Sequence, residues 1–111
     1  MAVKNTMSKN YTVDYEKIYS ALRSSDFSKL LNVSFIEEAI IADEREFRYQ
    51  RKTDIIRYYG RNFFIKVKEL GEGEVCVFVT TQSRKVTVLF DTSWKLEAEK
   101  VFNILDVLLA H

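Results

Sequence analysis

Proline is absent from the 111 residues, glycine occurs three times, and there is one cysteine and one histidine. Each shortage excludes something. With no proline, and glycine confined to Gly60, Gly71 and Gly73, the connections should be few and short, marked mainly by those glycines. The lone thiol, Cys76, has no internal disulfide partner, and one thiol with one imidazole builds no cysteine–histidine zinc site. No metal or other cofactor is expected, and a reducing cytoplasm is the simplest location. No apolar run approaches about 18 residues, and the opening "MAVKNTMSKNYT" lacks an apolar core, so neither a membrane span nor secretion is indicated. Glycine-rich phosphate loops, nucleophile elbows, metal-ligand spacings, internal repeats and linkers are missing too. Seventeen basic against sixteen acidic side chains leave a net charge of +1, which argues against a surface devoted as a whole to phosphate backbones.

What is present is apolar and aromatic: 47% of residues are hydrophobic, with eight Phe, six Tyr and one Trp, enough for one core in a single domain of ordinary size. Residues 1–11 read as a disordered extension, with Met1 or Met7 as the start, and residues 12–111 as one α+β domain. Tyr15, Ile18, Tyr19 and Leu22 recur at helical spacing behind Thr12 or Asp14 as caps, and Phe27, Leu30 and Leu31 resume the pattern after Ser25 or Asp26. Residues 34–50 are ambiguous. Ser34 and Glu37 stand at capping-box spacing, but a helix would bring Asp43 and Glu44 onto its apolar face, so two strands, 33–42 and 44–51, are preferred. As strands, Val33, Phe35 and Ile41 share one side, with Glu37 as the exception.

Alternation is clearest further on. Phe63, Ile65 and Val67, then Val75, Val77 and Val79, then Val86, Val88 and Phe90 predict three antiparallel strands, the first two joined by a "GEG" hairpin turn. Behind Asp91, Thr92 or Ser93 as cap, Trp94, Ala98, Val101, Leu105 and Leu108 predict a core-facing helix. The expected fold is therefore α+β: an N-terminal helix, a mostly antiparallel meander sheet of about five strands, and a C-terminal amphipathic helix packed on it.

Two features bear on function. The second sheet face still offers Phe64, Cys76, Phe78 and Leu89, and a solvated face would read polar there. Something should cover it: the first helix, a second copy of the chain, or an apolar ligand. The other feature is the basic, aromatic-laced segment carrying Arg45, Arg48, Arg51, Lys52, Arg57 and Arg61 against Glu46 and Asp54. Aromatic rings flanked by guanidiniums suit single-stranded nucleic acid, yet the same pattern arises when strand arginines reach water past an apolar surface.

The remaining chemistry is sparse. Cys76 between valines reads as a buried hydrophobe, His111 as a chain end, Glu37, Glu38, Asp43, Glu44 and Glu46 as a solvated edge, Asp91 as a helix cap and Trp94 as core. No convergent catalytic set can be named, so no enzyme is expected. The leading expectation is a non-enzymatic, self-associating interaction module using Phe64, Phe78 and Leu89 on the second face, with a homo-oligomer or protein partner. The alternative is a small apolar-ligand-binding domain with its pocket between helix and sheet, and the third is nucleic-acid binding through the basic segment.

Overall fold

Alternating Val, Ile and Phe side chains place these segments in strands because branched and aromatic residues pack well on a pleated surface. The computed structural model describes residues 5–42, 44–52, 60–83 and 91–110. In chain order the elements are β1 (Thr6–Tyr11), α1 (Tyr15–Arg23), α2 (Ser25–Leu31), β2 (Ser34–Ile41), β3 (Glu44–Arg51), β4 (Arg61–Gly71), β5 (Glu74–Ser83) and α3 (Trp94–Leu109). The five strands form one antiparallel sheet in the order β1-β5-β4-β3-β2, so β2 to β5 are a meander and β1 adds to its far edge. The α+β expectation, with α3 packed on an antiparallel sheet, is met.

The strands differ in one respect from those expected. Residues 6–11 are not a disordered extension; they pair with β5 from Thr6↔Thr80 to Tyr11↔Val75. Alternation in β1 is disguised because Lys9 occupies an inward position between Met7 and Tyr11, and its ammonium reaches Asp106 of α3 at 2.8 Å. The strand expected at Val86, Val88 and Phe90 lies outside the described residues.

Residues 34–51 are two strands, and a β-bulge between Phe35 and Glu37 explains why Glu37 broke the pattern. One extra residue resets the alternation. Phe35 pairs with Tyr49, Glu38 with Phe47 and Ile40 with Arg45, so these residues face the helices, whereas Glu37 and Ala39 point outward. The hairpin turns through Ala42 at φ 51°, and the β4–β5 turn through Gly73 at φ 74°, a conformation in which a side chain is strained.

Capping also departs from expectation in detail. Asp14 and Ser93 hold the N-cap positions of α1 and α3 without a side-chain hydrogen bond, while the hydroxyl of Ser24, not Ser25 or Asp26, accepts from Phe27 N at 3.2 Å and starts α2. Asn32 in the left-handed region ends α2. Leu30, expected inward, is exposed.

Directly paired residues share a sheet face, so the helix-facing side reads as successive cross-strand rows. At the hairpin end stand Ile40, Arg45, Val67, Val77 and Lys9; next come Glu38, Phe47, Ile65, Val79 and Met7; then Phe35, Tyr49, Phe63 and Thr81; last, Arg51, Arg61 and Ser83. The two middle rows are the core. Onto them pack Ile18 and Leu22 of α1, Phe27 and Leu31 of α2, and Ala98, Val101 and Leu105 of α3, none more than 2% exposed. Phe47, Phe63, Ile65 and Val79 are wholly buried, and Tyr49 donates its hydroxyl hydrogen to the carbonyl of Leu22. Each such side chain contributes about 1.5–3 kcal/mol by leaving water. Among the described residues no helix is long and apolar enough to cross a membrane.

Candidate functional site

The two outer rows of the concave face end differently. At one end, Arg51 and Arg61, cross-strand partners, lie under the start of α3 with side chains 8% and 7% exposed. Arg51 donates to Glu97 Oε2 at 2.6 Å and to the carbonyls of Leu31 and Asn32, closing the C-terminus of α2, whose last carbonyls lack helical partners. Arg61 makes a two-pronged pair with Asp91 at 2.8 and 3.0 Å and donates to the Thr81 hydroxyl, with its Nε 3.7 Å from Glu97. Burial alone would raise the Asp91 carboxyl, but hydrogen bonds from Arg61 and the Ser83 and Ser93 amides hold it below the usual carboxylate range. Asp91 is thus the carboxylate of a buried ion pair and not the side-chain cap of α3.

At the other end the concave face is open. Between the first turn of α1 and the tips of β2, β3 and β4 lies a space of about 460 Å³, lined by Tyr15, Ile40, Ala42, Val67, Arg45, Lys68, Glu44 and Glu69. Its polar side is organised by Glu38, brought inward by the bulge. Oε1 of Glu38 accepts from the Tyr19 hydroxyl at 2.9 Å and from Arg23 at 2.6 Å, and Oε2 accepts from Arg45 at 3.0 Å. Burial works to raise this carboxyl, and Tyr19, Arg45 and Arg23 together bring it below its ordinary value. The Arg45 guanidinium sits 5.8 and 5.4 Å from the ring centres of Tyr15 and Tyr19, within cation–π range. Burial raises the Tyr15 hydroxyl, which stays a protonated donor, and it has no hydrogen-bond partner among the described residues.

The basic segment therefore does not form one cationic surface. Arg48, on the outer face, is paired with Glu37 at 2.6 Å and Glu46 at 3.1 Å. Arg45 is partnered by Glu38, and Arg51 and Arg61 are buried; Lys52 is exposed and Arg57 lies outside the described residues. Alternation along β3 sends Arg48 to one side and Arg45 and Arg51 to the other, which separates charges that are close in sequence.

On the second face, Phe64 and Phe78 are half-buried and Cys76 is 7% exposed within the single chain; Leu89 lies outside the described residues. Phe64 and Phe78 line an open concavity of about 500 Å³ on the outer face with Thr6, Thr80, Lys66, Glu44 and Glu46, and the Thr6 and Thr80 hydroxyls are 2.7 Å apart. Burial raises the Cys76 thiol, as expected for a residue between valines. Among the described residues no three His, Cys, Asp or Glu side chains are grouped to hold a metal ion.

Sequence reasoning missed Glu38, Glu97, Tyr15 and Tyr19 as members of these clusters. Glu97 carried a signal, standing three residues after Trp94 and four before Val101 on the apolar stripe of α3, where a carboxylate needs a buried partner. Glu38 carried none until the bulge set its direction.

No family model matches the chain, and no curated protein matches it. Among solved structures the chain is similar to the crystal structure of Ara h 8.0201, with a TM-score of 0.50 and 14% sequence identity over 96% of this chain and 98% of that one. The likeness is one of fold alone. It overturns the leading expectation of a self-associating interaction module. That expectation rested on Phe64, Phe78 and Leu89 of the outer face; Phe64 and Phe78 are half-covered by their own chain, and Leu89 lies outside the described residues.

Proposed function

We propose that the chain is a binding domain for small apolar molecules, taken up on the concave side of the sheet at its open end. The carrying observation is the unfilled space of about 460 Å³ between α1 and the β2–β3 hairpin, within the range of small-molecule sites. Between α3 and the middle of the sheet the described side chains pack without exposure, so a ligand would enter beside Tyr15, Ile40 and Val67 and not under Leu105. The fold likeness supports the reading, because that architecture presents one concave apolar side. The role is one of binding without turnover, in a reducing cytoplasm consistent with the lone buried thiol.

The test is a thermal-shift screen with small apolar compounds, followed by native mass spectrometry of those that score. A compound at about a hundred times its dissociation constant adds about 2.7 kcal/mol, a rise of many degrees for a chain of this size. A screen with neither a shift nor a bound mass removes the proposal.

A further inference from the structure

The polar wall of the open end has an unbalanced charge. Two guanidiniums, Arg23 and Arg45, share the single carboxylate of Glu38, leaving one positive charge without a partner among the described residues. Among the described residues, the other charges around the space do not supply it. Glu44 lies 3.5 Å from the Lys66 ammonium, and Lys68 and Glu69 are of opposite sign. Arg45 spends one Nη on Glu38, and no other hydrogen-bond acceptor among the described residues takes its remaining N–H groups; its side chain is 35% exposed beside the space. The buried Tyr15 hydroxyl on the same wall is a second donor without an acceptor. Opposite them stand the apolar side chains of Ile40, Ala42 and Val67.

We propose that the open end selects amphipathic carboxylates: Arg45 and the Tyr15 hydroxyl bind the carboxylate, and the apolar body lies along Ile40, Ala42 and Val67. This inference rests on the ligand-binding reading above and adds the headgroup. A carboxylate here satisfies two idle donors and cancels the unpaired charge, which neither an alcohol nor an ammonium does. At about 30 Å³ for each water-sized group, the space holds roughly fifteen non-hydrogen atoms, enough for a ten-carbon acid.

Calorimetric titration of the full chain at neutral pH with decanoate, decan-1-ol and decyltrimethylammonium tests it. Decanoate should bind about tenfold or more tighter than decanol, as a charge-assisted hydrogen bond implies, with the ammonium weakest. Arg45→Gln should make decanoate and decanol equal while leaving decanol unchanged, Arg45→Lys should restore part of the preference, and Tyr15→Phe should weaken decanoate several-fold. Arg48→Gln, on the outer face, should change nothing. Equal affinities of the unaltered chain for acid and alcohol, or a preference that survives Arg45→Gln, overturn the headgroup assignment and leave apolar binding intact. If none of the three probes binds, the assignment falls together with the reading beneath it. Should Arg45→Gln fail to fold, the comparison of acid and alcohol on the unaltered chain decides alone.

Discussion

The two ends of the concave face start from the same material, arginines of two neighbouring strands, and reach opposite states. At the α3 end, Arg51 and Arg61 are sealed with Glu97 and Asp91, and every prong of the Arg61–Asp91 pair is used. At the hairpin end, Arg45 shares Glu38 with Arg23 and, among the described residues, keeps donors free beside an open space. The difference lies in what covers each row. The first turn of α3 and the last turn of α2 bring carboxylates and carbonyls onto Arg51 and Arg61, whereas α1 covers the other row only partly, with Tyr15 at its edge. One end is a structural clasp; the other has charge left over.

Breaking the clasp should have the largest effect. Arg61→Ala strands the buried Asp91 carboxylate and should cost on the order of 3–5 kcal/mol, measured as a lower midpoint in urea. Adding Asp91→Asn to Arg61→Met should recover part of that loss, because the neutral amide carries no buried charge and its oxygen can still accept from the Ser83 amide. A double variant no more stable than Arg61→Ala would show that the ion pair itself holds the fold.

Next, Leu105→Ala, in the sealed part of the core, should lower stability by about 2–5 kcal/mol, while Ile40→Ala at the open end, where Ile40 is 70% exposed, should change it by less than about 0.5 kcal/mol. Comparable losses at the two sites would mean that the hairpin end is also closed in solution.

Acid should weaken both clusters. Asp91 and Glu38 have folded-state carboxyls below their unfolded values, so their contribution is complete above about pH 4 and is lost as pH falls through the lowered folded values. Urea midpoints should therefore fall below about pH 4, and Asp91→Asn should flatten that fall more than Glu38→Gln, since Asp91 is the more buried of the two. The smallest effect belongs to Arg48→Ala. Its pairs with Glu37 and Glu46 face solvent, and the expected loss is about 0–1 kcal/mol; a larger one would promote the outer face to a structural role.

Much of this arrangement was legible in the chain, and what was not has identifiable causes. The strands around Phe63–Val67 and Val75–Val79 and the stripe of α3 follow from side-chain periodicity, a local property. β1 escaped because Lys9 breaks its alternation, and its inward position makes sense only once Asp106 of α3, far away in sequence, stands beside it. Asp91 read as a cap, and Glu97 went unread despite its place on the apolar stripe, because nothing near either in sequence announces Arg51 and Arg61. For the ligand site, the sequence could name only a helix and the sheet as walls, because the place of any space along the rows depends on how far each helix reaches.

Taken alone, the order of residues determined which segments pleat and which coil, and that apolar groups line one side of the sheet and a helix stripe, because backbone geometry converts spacing directly into direction. Only the assembled chain decided which charges meet, which end of the concave face is closed and where space remains. Those outcomes turn on distances between segments 20 to 97 residues apart, such as Arg51 with Leu31 and Lys9 with Asp106, and on one bulge that turned Glu38 inward.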